Sequence, residues 1–195
     1  YRLTPRILDL GFAYLSSMPI WNLAEPVMEE LVAQVKESCS AAVLDATDIV
    51  YVLRVPTHKI MHITLGVGSR LPAFCTSMGR VLLADLPDDA LRERLVASDR
   101  TARTRHTVVD VDTLMTRIAQ VRRQGWCIVN QELEEGLISL AVPITNRAGR
   151  TVAALNISGQ ANRTNVRTAQ EQLLPPLQAS ARRISQWLAQ QPAPM

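Results

Sequence analysis

The stretch LPAFCTSMGRVLLADLP, Leu71 to Pro87, concentrates residues suited to chemistry. Thr76, Ser77 and Gly79 precede the apolar run Val81, Leu82, Leu83 and Ala84, where a helix is predicted to begin. A helix start offers unsatisfied backbone N–H groups at the positive end of a dipole, so a carboxylate or phosphate can be held there without a lysine. Cys75 stands just ahead of that start, a place that lowers a thiol pKa, and His58 and His62 lie upstream. A cysteine nucleophile is therefore one reading. No local signature of a thiol enzyme accompanies it, and the expectation for Cys75 is a small buried hydrophobe.

Other groups invite the same scrutiny. Glu132, Glu134 and Glu135 in NQELEEGL could form an acid–base or metal site, but like charges this close prefer solvent, and an exposed turn before a strand is expected. His106 has no partner at metal-ligand spacing, and no metal is predicted. Arg100, Arg103 and Arg105 in SDRTARTRHT lack interleaved aromatics and read as a solvated loop rather than a nucleic-acid contact. More suggestive are Ser139, Asn156 and Ser158, neutral polar residues in otherwise apolar strands. If those strands lie beside a strand over Met61–Leu65, the three either pair with one another or converge on a ligand whose carboxylate rests on the amides near Ser77 and Met78.

The elements that must position these groups follow from periodicity. Thr4 and Pro5 start a helix running to about Ser17. A second, amphipathic helix is signalled by Asn22 as cap, Pro26 in the first turn, and Leu23, Val27, Leu31 and Val35 at four-residue spacing. From Ala41 the period changes, and AAVLDATDIVYVLRV reads as a hairpin turning at Asp45 to Asp48. Met61, Ile63 and Leu65 alternate as a further strand. DDALRERLV and DVDTLMTRIAQVRRQG read as helices, the latter ending at Gly125. The strands GWCIVNQ, LISLAVPIT and TVAALNIS follow, the last two joined by the turn NRAGR. A closing helix over Val166 to Leu188 must bend or restart at Pro175 and Pro176. The sum is α+β, a mainly antiparallel sheet flanked by helices, with no glycine-rich nucleotide motif.

Composition excludes several classes. With 47% hydrophobic and 20% charged residues the chain can fill a core, so disorder is not expected. A net charge of +3 is mild for a DNA-reading domain. Three widely separated cysteines indicate neither a disulfide framework nor a zinc site, which fits a cytoplasmic home. No apolar run is long enough to span a bilayer, and no membrane partner is expected. The opening YRLTPRILDLGF has no methionine and reads as if already helical, as though a segment precedes it.

Four blocks now carry a family resemblance: YRLTPRILDLGFAYLSS, VGSRLPAFCTSMGRVLLA, QGWCIVNQELEEGLISLAVPI and GRTVAALNISGQANRT. Together they resemble the effector-binding region of IclR-type bacterial transcriptional regulators, within the group that includes PcaR, PcaU and PobR, regulators of aromatic-acid and β-ketoadipate catabolism. The resemblance implies a GAF-like domain over residues 19–190, a linker helix over residues 1–18, and a winged helix-turn-helix domain, absent here, that alone reads DNA. It also implies a homodimer or dimer of dimers, no cofactor and no catalysis. The effector it implies is an organic acid such as β-ketoadipate, protocatechuate, 4-hydroxybenzoate or a related benzoate. Its carboxylate is expected on the backbone at Thr76, Ser77, Met78 and Gly79, with side-chain hydrogen bonds from Ser139, Asn156 and Ser158 and apolar lining from Ile63 and Leu71. Ser77 and Met78 replace the glycine and alanine of some relatives, and Asn130 is a neutral substitute near a position where some carry an acid. A second ligand carboxylate would favour Arg54 or Arg70, although both could instead be structural, pairing with Asp45 or Asp48 or facing solvent. The other readings are a GAF-like thiol enzyme using Cys75, or a pure oligomerisation module.

Overall fold

Helix α1, Ile20–Val35, buries Ile20, Trp21, Ala24, Val27, Met28 and Leu31 along one side. The computed structural model describes residues 10, 11, 13, 20–57 and 65–190. Asn22 is not a cap: the helix is already formed at Ile20, and Pro26 lies in its interior. Burial of Ile20 and Trp21 against the sheet outweighs the local capping signal. Of the expected linker helix only residues 10, 11 and 13 are described, and they are helical.

Strands β1 (Ser38–Asp45) and β2 (Asp48–Val55) form the expected hairpin, turning through Ala46 at φ 52°. Strand β3 is short, Arg70–Pro72, and pairs antiparallel with β2. The strand expected over Met61–Leu65 falls largely outside the described residues, as do His58 and His62, and Leu65 itself lies in no strand. A short 3-10 turn, Ala73–Cys75, leads into α2 (Ser77–Leu83), followed by α3 (Asp88–Ala97) and α4 (Val111–Gln124). Gly125 ends α4 in the left-handed region at φ 78°, as its position in the sequence requires.

Strands β4 (Cys127–Asn130), β5 (Leu137–Thr145) and β6 (Thr151–Gln160) complete, among the described residues, a six-stranded antiparallel sheet in the order β3-β2-β1-β6-β5-β4. The inner neighbour of β6 is thus β1, not a strand over Met61–Leu65. The chain closes with α5 (Val166–Thr168), a π-helical stretch Ala169–Leu173, and α6 (Leu174–Gln190). The wide π turns stand just before Pro175 and Pro176, whose missing N–H groups leave carbonyls one turn earlier without their usual partners.

Two cores result, one on each sheet face. Helices α1 and α6 pack on one face around Met28, Leu31, Leu140, Leu155, Leu177 and Ile184. The 3-10 turn and helices α2, α3 and α4 cover the other through Phe74, Met78, Leu83, Leu91, Leu114 and Ile118. On that second face the sheet presents Ala42, Ala141 and Ala154. Small side chains there let α2 approach the strands, and the polar groups of interest sit beside them.

Candidate functional site

The site is assembled where α2 meets the sheet. Thr76 is extended at φ −115° and ψ 147°, and its Oγ1 accepts from the Gly79 amide at 3.2 Å while donating to the Pro72 carbonyl at 3.1 Å. That cap ties the helix start to the 3-10 turn. Gly79 is required there, since a Cβ would lie 2.1 Å from the Ala73 carbonyl oxygen. The Gly79 amide, expected among the anion-holding groups, is thus already satisfied by Thr76.

Ser77 and Met78 face inward and line a small cavity together with Cys75, Thr76, Val129, Ser139, Asn156 and Ser158. Its volume is about 30 Å³. The polar side chains answer the question left open by the sequence, because they pair with one another. Ser77 Oγ and Ser139 Oγ are 2.6 Å apart, and Asn156 Nδ2 donates to Ser158 Oγ at 2.9 Å and to Ser139 Oγ at 3.1 Å. Asn156 Oδ1 accepts from the Ser40 amide at 3.1 Å, which fixes the orientation of the amide group. Register explains the convergence: Ser139 pairs with Ser158, and Asn156 pairs with Ser40, in adjacent rows of the sheet.

Several expectations change. Asn130 is exposed, and it is its neighbour Val129 that lines the cavity, because successive strand residues point to opposite faces. Leu71 is partly buried on β3 and packs on the core beneath α2 without lining the cavity. Ile63 lies outside the described residues. Arg70 is structural, donating to Asp45 at 2.6 Å and to Asp48 at 3.2 Å. Arg54 instead reaches the cavity, as do Tyr51, Leu65, Leu133 and Leu137, none of the last four having been singled out by residue type.

Glu132 is the largest correction. It is 4% exposed, not part of a solvated turn, and accepts both Arg80 Nη1 at 2.7 Å and Nη2 at 2.6 Å. Arg80 is 2% exposed and also donates from Nε to the Phe74 carbonyl at 2.8 Å. Val108 N and Arg117 complete the carboxylate's partners at 3.1 Å and 3.2 Å. A turn through Gln131 at φ 61° precedes the glutamate, and Thr107 Oγ1 donates to the Glu132 carbonyl at 2.6 Å. The like-charge argument fails because a buried guanidinium, remote in sequence, compensates one carboxylate. Arg100 is likewise structural rather than merely solvated: it donates to the carbonyls of Leu95, Val96, Ser98 and Val109 around the end of α3.

Cys75 is buried, and burial pushes its thiol up to about 11 despite the opposing charges of Arg103 and Arg80. The helix start does not activate it, because desolvation of the thiolate dominates. Among the described residues no group of three or more His, Cys, Asp or Glu side chains is placed to hold a metal, and no helix is long and apolar enough to cross a membrane.

A capped helix over an antiparallel sheet, with neutral polar side chains gathered around one cavity, is the arrangement of a GAF-like binding domain. Residues 12–186 match the family model for the bacterial transcriptional regulator IclR C-terminal region. The chain belongs to the IclR family of transcriptional regulators, in its Pca- and PobR-like subgroup, and is not an enzyme. It is 45% identical to the Pca regulon regulatory protein of Pseudomonas putida over 93% of this chain, and spans 63% of that relative's length. A crystal structure of a candidate transcriptional regulator from Rhodococcus sp. RHA1 superposes with a TM-score of 0.90 at 47% identity, covering 95% of this chain and 76% of that one. The inducer-binding domain of the Acinetobacter PobR transcription factor, a double mutant in complex with 3-hydroxybenzoic acid, gives 0.79 at 31% identity, covering 85% of this chain and 97% of that one.

Proposed function

We propose that this domain senses a small organic acid and thereby governs genes of aromatic-acid or β-ketoadipate catabolism. The acid's carboxylate rests on the amides of Ser77 and Met78 at the start of α2, and Ser139, Asn156 and Ser158 hydrogen-bond its oxygens. The observation that carries this reading is the Ser77, Ser139, Asn156 and Ser158 network, whose groups bond to one another around a cavity and can exchange those bonds for a ligand's. Acids in range are β-ketoadipate, protocatechuate, 4-hydroxybenzoate and related benzoates. The complex of PobR with 3-hydroxybenzoic acid supports that class.

A cavity of about 30 Å³ holds about two water molecules, whereas ligand sites usually run from about 300 Å³. Entry of the acid therefore parts α2 from β5 and breaks the Ser77–Ser139 bond. A ligand that grips the parted arrangement more tightly shifts the balance between two states. The shift passes through a linker helix over residues 1–18 to an N-terminal winged helix-turn-helix domain, which alone contacts DNA. The regulator works in the cytoplasm as a homodimer or dimer of dimers.

Thermal unfolding against a panel of these acids tests the reading, because a ligand bound only to the native state stabilises it by about 2.7 kcal/mol at a hundred times its Kd. The expected result is a raised Tm with at least one acid, lost in a folded Asn156→Ala variant. No shift with any acid would overturn the sensor reading.

A further inference from the structure

The outer edge of β5 is left open past the end of β4. Strand β4 stops at Cys127, opposite Ala141, so β5 runs on from Val142 to Thr145 with no strand beside it among the described residues. Such an edge would ordinarily offer its amides to another strand. Here Pro143 has no N–H to offer, and Ser185 Oγ of α6 accepts from the Thr145 amide at 3.0 Å. A groove of about 410 Å³ remains between that edge, the turn after it and α6, with the buried residues Val142 and Ala181 in its lining. It lies on the α1 and α6 side of the sheet, away from α2, and has the size of a small-molecule site.

Charge on this part of the molecule is one-sided. From Gly136 to Met195 the sequence holds six arginines and a single acid, Glu171, whereas the rest of the chain has slightly more acids than bases. Three of the six are held by carboxylates: Arg150 by Asp85, Arg167 by Glu171 and Arg183 by Glu30. Arg147 and Arg182 line the groove instead, and neither makes an ion pair or a side-chain hydrogen bond among the described residues. No acid lines the groove among those residues. The neutral side chains add further donors. Asn146 Oδ1 is taken by the Ala148 and Arg150 amides, each at 3.0 Å, which leaves its amide nitrogen to donate. Ser185, having accepted from Thr145, keeps its O–H to give. Two guanidiniums carry about ten N–H groups, more than the roughly four lone-pair sites of one carboxylate can take up. A phosphate brings three strong acceptor oxygens and close to two charges, and suits the forked donors of arginine.

We propose that this groove is a second ligand site, separate from the cavity beneath α2, and that it takes a small phosphorylated molecule whose phosphate is held by Arg147 and Arg182. The site stands on the groove alone and does not depend on the sensor reading. Titration calorimetry of the 195-residue chain with pyrophosphate tests it, at fixed ionic strength because salt screens exposed charges. Pyrophosphate is expected to bind with a Kd below about 1 mM. Arg147→Gln and Arg182→Gln should each weaken it about tenfold, in line with loss of a charge-assisted bond. Arg163→Gln removes the same charge from an exposed arginine outside the groove and should leave binding unchanged. Citrate, of similar charge but carrying only carboxylates, should bind about threefold more weakly or worse. No binding of pyrophosphate, an equal loss in Arg163→Gln, or citrate bound as tightly as pyrophosphate would overturn the phosphate site. None of these results touches the acid cavity beneath α2, which the thermal-unfolding panel tests by itself.

Discussion

Two polar clusters meet at α2, and they are built on opposite terms. Arg80 and Glu132 are both charged and both almost fully buried, and they form a bidentate pair with Phe74, Val108 and Arg117 filling remaining positions. Ser77, three residues earlier, joins a neutral set with Ser139, Asn156 and Ser158, in which hydroxyls can serve as donor or acceptor. A satisfied charge pair cannot release a partner without leaving a buried charge, so it locks α2 to the turn before β5. Hydroxyls and an amide can trade partners cheaply, so the same helix keeps one end adjustable. Rigidity at Arg80 and exchange at Ser77 together suit the ligand response proposed for this helix.

The comparison breaks most directly at Glu132. Glu132→Gln preserves volume but strands Arg80, and a loss of about 3–5 kcal/mol in denaturant-induced unfolding is expected. A loss no larger than that of a surface substitution would mean that the pair does not anchor the helix. Gly79→Ala comes next, because backbone at 2.1 Å from the new Cβ cannot yield as a side chain would. Destabilisation of about 3 kcal/mol is expected, at the upper end for overpacking.

Ser139→Ala sharpens the contrast from the other side. Stability should fall by only about 1 kcal/mol, since Asn156 keeps Ser158 and the Ser40 amide, while affinity for the acid falls about tenfold. A stability loss matching that of Glu132→Gln would erase the distinction between the clusters. A further contrast concerns the thiols. Burial holds Cys75 at about 11 and Cys127 at about 12, above the ordinary thiol value. Their contribution is therefore fully present below about pH 9 and is lost as pH rises through the folded-state values, because the unfolded chain ionises first. Urea midpoints measured at pH 8 and pH 10 should fall at the higher pH, and alkylation of Cys75 at pH 8 should be slow until the protein is unfolded. Rapid alkylation of folded protein would show an accessible, activated thiolate instead.

Much of the fold was legible because its signals are local. The hairpin at Asp45–Asp48, the Gly125 stop and the NRAGR turn each depend on a few adjacent residues and match the strands and helix that result. Asn22 shows the limit: an acceptable cap became interior helix once Ile20 and Trp21 found a core to enter. Within the site, Ser139, Asn156 and Ser158 stood out as polar residues in apolar strands. Whether they met one another depended on register, which residue type does not report. The burial of Glu132 is not legible locally because its partner lies 52 residues away, and residue type cannot separate Arg54, which lines the cavity, from Arg70, which Asp45 and Asp48 hold.

By itself, then, the sequence determined most of the described helices and strands, where most of them stop, and that hydroxyls and an amide would stand at the head of a helix and along apolar strands. Tertiary structure alone decided which strand neighbours β6, that Asn130 faces outward, and which arginine meets the cavity. The physical reason is range. Propensity, capping and periodicity act within a turn or two, whereas burial of a charge, strand register and a bulge become defined only when distant segments share one sheet and one core.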